Sequence, residues 1–199
     1  MKIIGISGNA TVGKDSFCNA LIELLKERNI KAKRFAFADE LKYETDEFLK
    51  SSLGISAFTT DKEEKKLIRP FLVWWGTDFR RVIDDSHWIN KVSDKLSNED
   101  IVYIITDVRY QNEFEWLKNN DGLSLFLDRA ISGVGFDGLP NIVQPCNDYE
   151  RENNKWLKAE ADINTTWQTI KDPAYRERFI LRNVFPEILS YIEGEESDA

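Results

Sequence analysis

Residues 8–16, "GNATVGKDS", carry the residue types that hold phosphate. Gly8, Gly13 and Lys14 fit the pattern GxxxxGK. There a tight loop points backbone N–H groups at an anion, and the lysine reaches the outer phosphates. The next position usually holds Ser or Thr, whose hydroxyl binds Mg²⁺. Here it holds Asp15, and Ser16 follows one place late. A carboxylate is itself a hard oxygen ligand for Mg²⁺, directly or through water. An acid at a helix start is also favoured by the helix dipole alone. Ser16 would supply the hydroxyl if the register shifted by one.

Three further groups have the types for phosphate chemistry. In "TDVRYQNE", 106–113, Asp107 ends an apolar run and could hold a magnesium-bound water, while Arg109 offers a guanidinium fork to a phosphate. A structural ion pair between the two, or a turn capped by Asn112, is the competing and weaker reading of the same letters. Arginines recur at 69, 80, 81, 109, 129 and 151. In "RPFLVWWGTDFRR", Arg69 and Arg80 or Arg81 flank Trp74, Trp75 and a glycine. Rings plus fixed guanidinium forks suit a phosphate joined to a flat base, and a Trp-rich core helix with basic ends explains the pattern as well. In "FADELK", Asp39 and Lys42 serve as an N-cap and a surface lysine, or as substrate contacts. His87 shows no partner and reads as structural.

These residues need elements to place them. "KIIGIS" reads as a buried strand running into the glycine loop. A helix follows, with Phe17, Leu21, Leu24 and Leu25 at helical period. "AKRFAFA" (32–38) reads as a second strand, and 39–54 as a helix with Asp39 as N-cap and Gly54 as stop. Residues 61–97 read as mostly helical, broken near Gly76 and again at 84–86. "IVYIIT" (101–106) is a strand buried on both faces, followed by a helix at 111–120 and a strand at 123–127. Residues 129–148 read as a long loop, and long loops in compact domains are usually functional or disordered. A weak strand in "ADINTTW" precedes a C-terminal helical stretch interrupted at Pro186, and 193–199 is an acidic tail. Alternating strands and helices predict an α/β fold with a parallel sheet, whose ligands sit at the C-terminal strand ends.

The chain has 199 residues, room for one domain with a small lid. Its formal charge of −8 makes it a poor non-specific binder of nucleic-acid backbone, so no nucleic-acid partner is expected. No apolar run nears the roughly 20 residues of a membrane span, and the first residues show no secretory pattern. Cys18 and Cys146 lack metal spacing and read as reduced thiols, which predicts a cytoplasmic protein. Trp74, Trp75 and the apolar C-terminal helix serve a homodimer face and core packing equally well.

"GNATVGKD", "FADELK", "RPFLVWWGTDFRR" followed by "HWI", and "TDVRYQNE" stand in the order and approximate spacing of bacteriophage-type deoxynucleoside monophosphate kinases, which this chain resembles over residues 1–128. The resemblance implies an adenylate-kinase-like P-loop kinase: a three-layer sandwich with a helical monophosphate-binding region at about 39–98 and a lid at about 129–152. It implies transfer of the ATP γ-phosphoryl group to a (deoxy)nucleoside monophosphate with Mg²⁺, in the cytoplasm, that of the host cell if the chain is phage-encoded. Gly8, Asn9, Ala10, Val12, Gly13, Lys14, Ser16 and Arg129 are then the expected ATP contacts. Asp39, Lys42, Arg69, Trp75, Arg80, Arg81, Asp107, Arg109 and Glu113 are the expected acceptor contacts. Lys14, Asp15, Arg69, Arg81 and Arg109 are expected to act in catalysis, and Asp15, Ser16 and Asp107 on the metal. Asp78 departs from the Glu of the family's Gly-Thr-Glu, and "CNDYERE" matches the lid only loosely, so base specificity stays open. The same scaffold with another acceptor, such as dephospho-coenzyme A, or a nucleotide-binding protein without transferase activity, fits the same motifs.

Overall fold

Strand β1 (Lys2–Ser7) lies in the middle of a six-stranded sheet, and helix α1 (Lys14–Glu27) leaves its C-terminal end after a six-residue loop. The computed structural model describes residues 1–96, 100–134, 140–145, 148–168 and 173–194. The chain divides into two compact units: Met1–Arg34 with Asn98–Ala199, and Phe35–Ser97.

The first unit holds the sheet. Its strands after β1 are β2 (Lys31–Phe35), β3 (Ile101–Ile105), β4 (Leu123–Val134), β5 (Pro140–Ile142) and β6 (Ile163–Gln168). The order is β2-β3-β1-β4-β5, with β6 on β4. β1 runs parallel to β3 and β4, and β6 runs parallel to β4, while β5 is antiparallel to the far end of β4. A parallel sheet must be covered on both faces, which is why β1 and β3 read as near-continuous apolar runs. Ile4, Ile6, Ile104 and Leu125 pack with Phe17, Leu21 and Leu25 of α1. The last helices, α8 (Pro173–Asn183) and α9 (Phe185–Glu193), add Ile180, Phe185 and Ile188 to that core, which assigns this apolar surface of the C-terminal helix to packing.

The second unit is helical: α2 (Phe37–Leu53), α3 (Lys62–Val73), a π-helix (Trp74–Arg80), α4 (Arg81–Ile83) and α5 (His87–Ser93). Leu49, Ile55, Ala57 and Ile68 form its small core.

Several expectations need correction. The second strand ends at Phe35, and Phe37 and Ala38 already belong to α2, whose N-cap is Ala36. Asp39 therefore sits inside the first turn. Gly54 ends the helix as expected, with φ of 69°. Gly76 does not break its helix; the segment winds on as a π-helix, and the missing side chain admits Leu41 of α2, 2.9 Å from where a Cβ would stand. Residues 129–134 and 140–142 are strand rather than loop, and a helix α7 (Asp148–Glu160) starts within the expected lid. The remainder of that loop at 135–139 and 146–147, with Cys146, lies outside the described residues, as does the acidic tail from 195.

Candidate active site

The loop between β1 and α1 adopts left-handed backbone at three places: Gly8 (φ 134°), Thr11 (φ 66°) and Gly13 (φ 97°). A Cβ on Gly8 would lie 2.2 Å from the Leu127 carbonyl oxygen, and one on Gly13 would lie 2.7 Å from the Trp167 ring. Backbone freedom and close approach thus both demand glycine at these two positions. Later parts of the chain tie the loop down. Trp167 of β6 donates its indole N–H to Val12 O at 2.7 Å. Asn9 is buried; its amide donates to Val143 O at 2.7 Å, and its oxygen accepts from Asn154 of α7 at 2.6 Å. Glu150, also on α7, accepts from the Ala10 N–H at 2.9 Å. A carboxylate is thus already docked on a loop amide.

Lys14 folds over this loop. Its ammonium donates to Gly8 O at 2.7 Å and to Asn9 O at 2.9 Å. Burial, then the neighbouring Arg109 guanidinium, push its pKa down to about 8, against the opposing pull of Asp107, Glu150 and Asp15. A mostly buried ammonium within the field of a second cation favours an anion at this loop. Asp15 is largely exposed in the first turn of α1. Its carboxylate accepts from Arg34 Nε at 2.8 Å and from the Thr106 hydroxyl at 3.3 Å. Ser16 is half-buried in the same turn, and Asp107 half-buried just after β3. Among the described residues no group of three or more His, Cys, Asp or Glu is gathered to hold a metal.

Glu113 belongs to helix α6 (Gln111–Asn119), is 1% exposed, and accepts from the backbone N–H groups of Arg109 at 2.8 Å and Tyr110 at 3.1 Å. It completes a capping box and holds the Arg109 backbone in place, so its contribution to a substrate runs through Arg109. Asn112 caps the same turn, accepting from the Glu113 N–H at 3.0 Å. Arg129, on β4, keeps Nε buried with no hydrogen-bond partner among the described residues. Arg151 pairs with Asp148 on the exposed face of α7.

In the second unit the expected acceptor contacts fall into separate places. Asp39 and Lys42 pair with each other at 3.0 Å along α2. Trp75 and Arg80 converge on Glu44, donating to Oε1 at 2.8 Å and 2.6 Å. A π-turn aligns residues five apart, and these two are five apart. His87 and Lys91 reach the other oxygen of Glu44 at 3.1 Å each, so His87 does have a partner. Burial would raise the Glu44 pKa, but bonds from Trp75, His87, Lys91 and Arg80 outweigh it and lower the group to about 2. Arg81 reaches the Asp85 carbonyl at 3.5 Å. Arg69 stands apart from Glu44, lining an open groove with Lys62, Lys65, Lys66, Trp74 and Asp78.

The residues that position this chemistry without having been anticipated are Arg34, Glu44, Glu150 and Asn154. Glu40 and Glu44, one helical turn apart on α2, were visible as a spacing; their burial was not. Nothing local marks Glu150 or Asn154, which act across more than 130 residues of sequence.

A family model described as phosphomevalonate kinase matches residues 6–122. The chain belongs to this family. That makes it a P-loop kinase of the small-molecule type. The dephospho-CoA kinase from Campylobacter jejuni shares the fold at 14% identity and a TM-score of 0.51, covering 98% of this chain and 100% of its own. A shikimate kinase from Aquifex aeolicus aligns more loosely, at 15% identity and a TM-score of 0.46, over 95% of this chain and 99% of its own. No curated protein sequence matches the chain significantly. In this kinase, among the described residues, no helix is long and apolar enough to cross a membrane.

Proposed function

We propose that this kinase transfers the γ-phosphoryl group of ATP to a (deoxy)nucleoside monophosphate, giving ADP and the diphosphate. The observation that carries the reading is Lys14 folded over the glycine loop on the Gly8 and Asn9 carbonyls, mostly buried and near enough to Arg109 that this charge helps lower its pKa. Like charges held together in the free protein become favourable when a polyphosphate arrives between them.

Phosphoryl transfer needs positioning and charge neutralisation more than covalent help from the protein. Lys14 and the amides of Gly8 to Gly13 would hold the β- and γ-phosphates, and the unpartnered Nε of Arg129 suits a further nucleotide contact. The positive φ of Gly8 and Gly13 and their packing against the Leu127 carbonyl and the Trp167 ring fix the loop backbone whose amides would meet ATP. Mg²⁺ would be held by Ser16, Asp15 and Asp107 oxygens together with the phosphates, and when bound it neutralises charge on the transferring group. Arg34 keeps the Asp15 carboxylate oriented. Arg109, with Arg69 and Arg81, would hold the acceptor, whose phosphate is its own nucleophile, so no general base is required. Trp75 and Arg80, fixed on Glu44, would shape the acceptor's surroundings, with Asp39 and Lys42. The segment from Arg129 to Glu152 would exclude water.

A second reading keeps this machinery and changes the acceptor to another small phosphorylated molecule, and the family's description favours it. Purified protein with ATP, Mg²⁺ and a panel of monophosphates, dephospho-coenzyme A and phosphomevalonate is the test. Diphosphates from the nucleotide arm, abolished in Lys14→Ala with the fold intact, are the expected result. Turnover of another acceptor alone gives the second reading. ATP binding with no turnover on any acceptor overturns both.

A further inference from the structure

Outside helix α3, the second unit holds its lysines in ion pairs. Lys42 pairs with Asp39, Lys50 with Asp46, Arg80 and Lys91 with Glu44, and Lys95 with Glu40. Helix α3 breaks this habit. Lys62, Lys65, Lys66 and Arg69 stand at helical i, i+3, i+4 and i+7, on one face, and among the described residues none is paired with a carboxylate. Like charges three and four apart destabilise a helix. The chain as a whole carries −8, so acids were available to neutralise the stripe. The acids of the same helix start, Glu63 and Glu64, take up the dipole end instead: Asp61 accepts from both their N–H groups, and Glu64 accepts from Thr59.

A stripe of lysines alone would be a solvated face. This one lines a groove of about 630 Å³, within the range of small-molecule sites. Pro70, Val73 and Trp74 complete the lining. Trp74 is 47% exposed, and its ring stacks on Phe79 with centroids 5.6 Å apart. From Lys62 to Arg69 the stripe runs about 10 Å along the axis at 1.5 Å per residue. That is longer than a single phosphate requires. One helical turn on, the indole offers a flat apolar face. Asp78 is the one carboxylate in the lining, and it can accept from a hydroxyl or amino group but would repel a phosphate placed beside it.

We propose that this groove binds a nucleoside di- or triphosphate, with the phosphates along Lys62, Lys65, Lys66 and Arg69 and the base against Trp74. The site is additional to the phosphate loop and stands whichever acceptor the kinase uses. Arg69 is shared with the acceptor reading and is therefore left unchanged in the test.

The test uses the full chain carrying Lys14→Ala, which removes the loop's lysine, and isothermal titration calorimetry with ATP and with inorganic tripolyphosphate. Both probes are expected to bind one site per chain, more weakly as salt rises. Lys62→Ala/Lys65→Ala/Lys66→Ala is expected to weaken both by more than tenfold, because each ammonium removed takes away a charge-assisted hydrogen bond that strengthens binding severalfold. These lysines are exposed and repel one another, so melting should not fall; Lys62→Glu alone gives the same direction if the triple variant folds poorly. Trp74→Leu is expected to weaken ATP by about fivefold or more, because leucine cannot stack on the base, and to leave tripolyphosphate unaffected. Absence of binding in the Lys14→Ala protein, or equal binding after the lysine substitutions, overturns the proposal. So does a nucleoside monophosphate that binds the groove as tightly as ATP, or a single-stranded oligonucleotide that binds it more tightly.

Discussion

Lys14 should make ATP affinity fall with pH far earlier than an ordinary lysine would. Its pKa in the free protein lies at about 8, lowered from 10.5 by burial and by Arg109. If ATP requires the ammonium, the apparent dissociation constant grows as 1 + 10^(pH − 8). Affinity is then nearly unchanged at pH 7, about tenfold weaker at pH 9 and about thirtyfold weaker at pH 9.5; a lysine at its usual value would give almost no change over that range. At pH 8 binding should draw in about half a proton, read by calorimetry in buffers of different ionisation heats. Lys14→Arg keeps its charge throughout and should show a flat profile. Cys18, pushed up to about 12 by burial, does not titrate in this window. Linkage has a definite sign here. Between pH 8 and 10.5 the unfolded chain holds the Lys14 proton and the folded chain does not, so the free protein becomes more stable as pH rises, by up to about 3 kcal/mol. A wild-type affinity that stays flat to pH 9.5, or an equal slope in Lys14→Arg, refutes the reasoning.

The remaining outcomes concern the loop, the second unit and the thiol. Gly13→Ala forces a side chain into a φ of 97° and against the Trp167 ring, so it should cost about 1–3 kcal/mol in thermal melts and abolish ATP binding. Glu44→Ala strips the counter-charge from Arg80, His87 and Lys91, and should cost about 1–3 kcal/mol by denaturant titration. Because the Glu44 pKa is depressed to about 2 from 4.5, its stabilisation is present above pH 4.5 and lost as pH falls toward 2; that acid-side loss should be absent in Glu44→Gln. Cys18 should resist thiol reagents at pH 8 in the folded protein and react on unfolding.

Local chemistry made much of the first unit legible. The run of β-branched residues in β3 reads as a strand covered on both faces, and the glycine spacing of 8–13 as a tight loop that turns backbone N–H groups toward an anion. Helix α1 followed from four apolar positions at one period. The second unit was harder to read for a physical reason. Its helices bury acids, and a letter pattern does not reveal which acid will be desolvated and which will stay in water. Glu44 looked like any surface residue until Trp75, Arg80, His87 and Lys91 met on it. The arginines 69 and 80 looked like one set because they flank one aromatic segment; the π-helix turned Arg80 toward Glu44 while Arg69 lines the groove beside α3. Residues 129–134 and 140–142 of the expected lid loop are strand because β4 extends past its pairing with β1 to pair with β5 and β6, a partnership that no window of local sequence contains.

By itself the sequence determined the P-loop and the alternation of strands and helices. These depend on backbone torsion and side-chain type, which are properties of a few neighbouring residues. Only the tertiary structure decided the charge state of Lys14, the partner of Asp15, the capping role of Glu113 and the fate of each arginine. Those depend on desolvation and on distances between groups far apart in the chain, such as Glu150 and Ala10, which exist only once the chain has folded.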